Sequence, residues 1–222
     1  MASPILIDCE QRSTAWFQAR AGILTATGAA DMLAKPLRSG GEPACRRDLR
    51  TRLVVERLTG APADENGYVS PEMKRGTELE PLALAAYEAA TGTLVQAVGF
   101  IRHATLPIGC SPDGVIGNLE GGVELKCPKS ATHLGYLRNP GKVPVEYLPQ
   151  LTHTLFVSGA PWWDFASFDP RFPEPLQLFR VRVHRADVDL GIYEASLLGF
   201  LGEVEREYQE VAAMVAVAQE VR

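Results

Sequence analysis

Two short segments, Ser111-Pro112-Asp113-Gly114 and Val123-Glu124-Leu125-Lys126-Cys127, constrain this chain more than any others. Val115 and Ile116 follow the first, and Val123, Leu125 and Cys127 frame the second, so each arm is apolar apart from its charges. Between them Gly117-Asn118 and Gly121-Gly122 carry turn chemistry, with Leu119-Glu120 lengthening the loop, and the arms are predicted to pair as a hairpin. Asp113 starts one arm. Glu124 and Lys126 stand two apart on the other, which puts both on one face of the strand. Leu125 points the other way and leaves its carbonyl oxygen beside the two carboxylates. Two carboxylates about 4–5 Å apart repel by roughly 3–4 kcal/mol at an effective dielectric near 20. A hard divalent cation reverses that sign, and oxygen-only ligands suit Mg²⁺ or Mn²⁺. A lysine on the same face can hold or deprotonate a water beside a metal-polarised phosphate. The same residues also suit a plain hairpin in which Glu124 and Lys126 are solvated charges, and these residues alone leave both readings open.

With 222 residues, 46% of them hydrophobic, the chain can bury one substantial core, and a single domain over 1–222 is expected. No apolar run reaches the length of a membrane span, and the N-terminus lacks a basic-then-apolar signal segment. Cys9, Cys45, Cys110 and Cys127 show no C-x-x-C spacing, which points away from zinc or iron–sulfur sites and toward thiols in a reducing cytoplasm. His103, His133, His153 and His184 are scattered without ligand spacing and read as structural, with His153 alone on the helix expected near the site. The formal net charge is −5, the wrong sign for a protein that coats DNA. The charge is uneven, however. Lys35 to Arg57 carries a net of +4, and Leu201 to Arg222 a net of −3. The basic stretch is either a solvated helix face or the lining of a confined DNA channel.

Periodicity predicts helices at 13–20, 26–34 and 44–58, the last stopping near Gly60, with a loop at 61–69. Ser70-Pro71 starts a further helix that Gly92 ends, and Pro81 should kink or restart it beside Glu80. Strands follow at 94–103, 107–117 and 122–127, helices at 129–138 and 145–158, and strands at 162–168 and 176–184. A long helix over about 186–217 closes the chain. This order gives an α/β fold, a mixed central β-sheet flanked by helices.

The P-D…E-x-K pattern resembles the nuclease superfamily named for it. S-P-D-G…E-L-K-C-P is similar to the phage lambda exonuclease branch, also called YqaJ-like viral recombinases. The likeness continues in order. It takes in Gln11-Arg12-Ser13-Thr14-Ala15-Trp16 through Arg20-Ala21-Gly22, with Leu24-Thr25-Ala26-Thr27. It then runs through Gly76-Thr77-Glu78-Leu79-Glu80, Tyr147-Leu148-Pro149-Gln150 and Phe165 to Asp169-Pro170-Arg171.

The resemblance implies a PD-(D/E)xK nuclease core and a Mg²⁺-dependent 5′→3′ exonuclease, with Mn²⁺ substituting. Such an enzyme degrades one strand of linear double-stranded DNA to 5′-mononucleotides. It implies that Asp113, Glu124 and the Leu125 carbonyl hold metal, with Glu80 completing a second site or the water shell. Lys126 would activate water, and Gln150 would contact metal-bound water or phosphate. Arg20, Thr27 and Ser111 would grip a terminal 5′-phosphate, one guanidinium fork and two hydroxyls suiting a dianion; the family usually has serine at Thr27. It further implies a homotrimeric ring, a single-strand annealing protein as partner and a phage-type role in a bacterial cytoplasm. An endonuclease on the same fold, or a non-catalytic DNA-end-binding module, are the alternatives. Trp16 suits either DNA contact or packing, and Trp162-Trp163 either the core or a subunit interface.

Overall fold

In the computed structural model residues 3–36, 40–63 and 71–220 are described, without the side chains of 71–73 and 215–220. The expected cap at Ser70, most of the expected 61–69 loop, and Arg38 of the basic stretch lie outside the described residues.

Eight strands form two four-stranded sheets among the described residues. The first has the order β1 (Ile5–Ile7), β3 (Phe100–Arg102), β4 (Ile108–Cys110) and β2 (Leu24–Thr25), with β2 parallel to β4. The second has the order β5 (Gly114–Ile116), β6 (Gly121–Lys126), β7 (Trp162–Phe168) and β8 (Leu178–His184), with β6 parallel to β7. Each sheet is therefore mixed. The strand expected over 107–117 is broken at Ser111-Pro112-Asp113: β4 belongs to one sheet, β5 to the other, and Asp113 sits at the seam. Pro112 gives the physical reason, since it has no N–H to continue a ladder. The strand expected over 94–103 is likewise reduced to Phe100–Arg102, with Gln96 making an isolated bridge to Val115.

The helices are α1 (Thr14–Arg20), α2 (Ala29–Met32), α3 (Ala44–Thr59), α4 (Pro71–Thr91), α5 (Ser130–Leu137), α6 (Leu148–Ser158) and α7 (Leu190–Glu220). Ser13 caps α1 by accepting from the Trp16 N–H at 3.2 Å. Gly60 and Gly159 end α3 and α6 in the left-handed conformation. The helix expected at 26–34 is a 3₁₀ turn, Ala26–Gly28, followed by the single turn of α2. α4 runs through Pro81 without restarting.

One core packs Leu49 and Leu53 of α3, Leu151 and Leu155 of α6, and Leu197 and Phe200 of α7 against Ile101, Ile108, Trp163 and Phe165. A second packs Ala83 and Tyr87 of α4 against Val123, Leu125, Ala166 and Phe168. Between these layers β6 and β7 are locked side by side. A Cβ on Gly121 would come within 2.3 Å of Trp162, and one on Gly122 within 2.3 Å of Trp163. Both tryptophans thus pack on β6.

The basic stretch takes neither expected role along its inner face. Arg46 and Arg50 of α3 reach Glu203 of α7 and Glu42, and Arg50 also reaches Glu207 at 2.7 Å. Arg57 pairs with Glu205 at 3.2 Å. The positive and negative stretches of sequence neutralise each other across the α3–α7 contact.

On the α4 side of the second sheet, Asp164 is fully buried and stands opposite Arg182 in the β7–β8 register. It accepts from Tyr87 Oη at 2.7 Å, Arg180 at 3.0 Å and Arg182 at 2.8 Å. Burial works against its charge, but the hydrogen bonds from Arg182, Tyr87 and Arg180 win and hold its pKa below the usual carboxylate value. Asp164→Asn should therefore destabilise the fold by about 3 kcal/mol, as expected when one partner of a buried ion pair is lost. Urea unfolding at neutral pH measures this.

Candidate active site

The β5–β6 register pairs Gly114 with Val123, so one further step places Asp113 opposite Glu124. Directly opposed residues of an antiparallel pair project from the same face. Asp113 Oδ2 accepts the Leu125 N–H at 2.6 Å. The N–H and C=O of one strand residue point to the same side, so the Leu125 carbonyl also faces Asp113. The residue next in register is Pro112, which has no N–H to occupy that carbonyl. The sequence P-D thus leaves one backbone oxygen and two carboxylates convergent at the open end of the hairpin.

Glu124 is buried, and its Oε1 accepts from the Lys126 ammonium and from Gln150 Nε2 at 2.6 Å. Gln150 arrives from the first turn of α6, where Pro149 fits because its missing N–H would be unpaired anyway. The Lys126 ammonium also lies 5.5 Å from the Tyr147 ring centroid. Desolvation disfavours this ammonium, but Glu124 and Asp113 outweigh it and raise its pKa in the metal-free protein.

Glu80 sits three and seven residues before Ala83 and Tyr87, which are buried against the second sheet, and so shares their side of α4. Its carboxylate pairs with Arg12 at 3.2 Å. Arg12 itself has φ +69°, an uncommon conformation for a side chain other than glycine. The turn that carries it is tied down by Gln11, whose Nε2 donates to Pro112 O at 2.7 Å and Val98 O at 3.0 Å. Neither Gln11 nor Arg12 stood out as a site residue in the sequence; their only signal was membership of the family-like N-terminal segment.

Arg20 and Ser111, expected together, are together: Arg20 Nη1 donates to Ser111 Oγ at 2.8 Å. The Trp16 indole N–H donates to the same hydroxyl at 2.8 Å, and the Arg20 guanidinium stacks 3.9 Å from the Trp16 ring centroid. Trp16 is therefore the platform of this cluster. Thr27 is exposed on the 3₁₀ turn, with its hydroxyl 3.1 Å from that of Thr25. His153 braces the cluster from behind. Its Nε2–H donates to Gly109 O at 3.0 Å, and its Nδ1 accepts from Tyr193 Oη at 2.6 Å. Burial lowers its pKa to about 4, which keeps it neutral. His133 is also structural, bonded to Ser167 Oγ at 2.7 Å and Leu176 O at 2.9 Å.

Among the described residues, no group of three or more His, Cys, Asp or Glu side chains is arranged to hold a metal unaided. A cation here would use Asp113, Glu124, the Leu125 carbonyl and water, with Glu80 reached only if Arg12 lets go. The donors suit a hard cation, because all are oxygen. The electrostatics suit one too. Burial first, then Glu124, pushes the Asp113 pKa up to about 8, against the opposing pull of Lys126 and the Leu125 N–H.

The fold and this hairpin define a nuclease-type protein. Residues 15–161 match the family model described as the YqaJ-like viral recombinase domain, and the chain belongs to that family. The family implies DNA exonuclease chemistry and a divalent metal. Two solved structures are similar at TM-score 0.81 and 36% identity, covering 93% of this chain and 100% of theirs. They are an alkaline exonuclease, LHK-Exo, from Laribacter hongkongensis, and LHK-Exo in complex with dAMP. A phage-related exonuclease from Haemophilus somnus 129PT is similar at TM-score 0.61 and 11% identity, covering 87% of this chain and 96% of that one, a likeness of fold alone. Curated proteins give no match. No helix among the described residues is long and apolar enough to cross a membrane.

The raised Asp113 pKa has a consequence for stability. Between the ordinary carboxylate pKa of 3.8 and about 8, the metal-free folded protein holds a proton that the unfolded chain has released. Its stability therefore falls as pH rises through that window, and the loss is complete above it. In EDTA, Asp113→Asn should be more stable than the parent at pH 9 by at least about 1.4 kcal/mol, one pKa unit's worth, and should match it more closely near pH 5. Urea unfolding at the two pH values checks this.

Proposed function

We propose that the protein is a Mg²⁺-dependent 5′→3′ exonuclease that degrades one strand of linear double-stranded DNA from its ends and leaves 3′ single strands for phage-type recombination. The observation that carries this reading is the opposed Asp113–Glu124 pair with Lys126 on the same face and the Leu125 carbonyl facing Asp113. Asp113, Glu124 and the Leu125 carbonyl would hold the metal, with Glu80 joining the water shell once its pairing with Arg12 opens. A bound ion would supply Lewis-acid stabilisation of the phosphate.

Lys126 orients and activates the attacking water from the same strand face as Glu124. Gln150 fixes Glu124 and can reach water or phosphate from the opposite side. The water oxygen attacks phosphorus in line and gives up a proton to surrounding water, the P–O3′ bond breaks, and the departing O3′ takes up a proton from water. The released nucleotide keeps its 5′-phosphate, and the shortened strand begins with a new one. That repeating end is the ligand we assign to Arg20, Ser111 and Thr27, with Trp16 stacked under the guanidinium. LHK-Exo has been crystallised with dAMP, a 5′-mononucleotide of the kind this reaction releases. The family resemblance adds a homotrimeric ring around the duplex, an annealing protein as partner and a bacterial cytoplasm as the setting.

Asp113→Asn and Glu124→Gln should each reduce Mg²⁺-dependent digestion of linear duplex by at least about 100-fold, the scale of losing one preorganised electrostatic group. Mn²⁺ should substitute for Mg²⁺, whereas Ca²⁺ should bind without supporting turnover. Full activity in EDTA or in either variant would overturn the metal assignment. Lys126→Ala should lower the single-turnover rate by a similar factor with duplex affinity nearly unchanged, since the interaction belongs to the transition state.

A 5′-hydroxyl duplex should be digested at least about tenfold more slowly than its 5′-phosphorylated counterpart, because each charge-assisted bond is worth roughly 1.5–3 kcal/mol. Arg20→Ala should remove most of that difference. Efficient cutting of covalently closed circles would move the assignment to an endonuclease.

A further inference from the structure

The segment Phe165 to Arg171 carries the family-like D-P-R triplet, for which the reaction described above has no use. The structure places it one step from the reacting groups. The β6–β7 register sets Lys126 beside Ser167, so Asp169 lies just past the strand end that bears Lys126. Its side chain is fully buried and accepts from Arg171 Nε at 2.9 Å, Arg171 Nη2 at 2.8 Å, the Arg171 N–H at 3.2 Å and Ser130 Oγ at 2.6 Å. A second guanidinium, Arg75 of α4, pairs with the same carboxylate at 3.6 Å. Burial opposes the Asp169 charge, but the hydrogen bonds from Arg171 and Ser130 keep it ionised well below the usual carboxylate range.

One carboxylate thus carries two guanidiniums, a local excess of positive charge. Arg75 Nη2 is buried and makes no hydrogen bond among the described residues. The Arg171 side chain is 57% exposed, so it reaches solvent while its fork is held from below.

The loop itself is braced. The Asp169 N–H donates to Gln177 O at 2.9 Å, and the Gln177 side chain donates back to Pro170 O at 3.1 Å and Phe172 O at 2.9 Å. Phe172 packs edge-on against His133 at 5.0 Å. A guanidinium presented from a braced loop loses little entropy on binding an anion.

We propose that Asp169 is a positioning residue that presents Arg75 and Arg171 as a backbone-phosphate clamp for the DNA strand flanking the scissile bond. Bidentate guanidiniums suit phosphate geometry. The inference rests on the exonuclease reading, and its test keeps the two apart.

The probe is a 5′-phosphorylated linear duplex in Ca²⁺, with affinity measured between 50 and 200 mM NaCl for the full-length protein, alongside single-turnover cleavage in Mg²⁺. Each duplex phosphate contact contributes about 0.9 to the slope of log K against log [salt]. Arg171→Ala and Arg75→Ala should each lower the slope by about that amount and weaken binding at every salt concentration. Single-turnover cleavage at subsaturating DNA should fall in step with the lost affinity. Arg171→Lys should restore the slope, because it keeps the charge while losing the fork.

Unchanged slopes in both alanine variants, with a parent protein that binds and cleaves, would make the arginines a loop staple and overturn the clamp. A parent protein that neither binds nor cleaves the duplex would overturn the exonuclease reading and the clamp with it.

Discussion

Two carboxylates that face each other across the last rung of a hairpin repel, and surrounding them with protein strengthens the repulsion. Asp113 and Glu124 are in that position, and the architecture around them can be understood as what keeps the hairpin end from splaying. The Leu125 N–H holds Asp113, while the Lys126 ammonium and the Gln150 amide hold Glu124. Two of those counterweights come from β6 itself, while Gln150 comes from α6, so both elements must be fixed by packing. Leu151 and Leu155 anchor α6, which delivers Gln150, and Ala83 and Tyr87 press α4 against the reverse face of β6. Burial first, and then the repulsion from Glu124, leave the Asp113 pKa raised in the metal-free protein. Sites that strain a fold in this way are commonly where function resides.

The hairpin was the most legible part of the chain, because strand alternation fixes which side chains share a face. Asp113, Glu124, Lys126 and Gln150 converge as their spacing and resemblance suggested, and so do Arg20 and Ser111. The helices and most of their ends followed from periodicity, caps and glycine stops. What periodicity could not show was where one sheet ends and another begins. The run 107–117 looks like one strand, and only the lost N–H of Pro112 hints at the seam. Partner choice was equally hidden. The sequence shows a basic stretch and an acidic stretch, but not that Arg46 and Arg50 meet Glu203 across 157 and 153 residues. Arg12 on Glu80, Trp16 on Ser111 and Arg75 on Asp169 are long-range contacts of the same kind, invisible to local pattern.

Placing the α3 arginines against α7 changes how the molecule's charge should be read. An acidic protein with a neutralised basic helix has little general affinity for a polyanion. Near the hairpin mouth, Arg20 and Lys126 are held by specific partners.

The glycine–tryptophan contacts between β6 and β7 carry a different kind of information. Gly121 and Gly122 leave no room for a side chain beneath Trp162 and Trp163. If β6 slid along β7 by one pair of residues, a tryptophan would meet a residue that bears a Cβ. The two glycines therefore act as a gauge that sets how far β6 travels along its neighbour before Glu124 and Lys126 are placed. Their substitution would be expressed as an axial error in Glu124 and Lys126 rather than as a local cavity. Over evolutionary time these four positions should change together or not at all, even though none of them belongs to the Asp113–Glu124–Lys126 cluster.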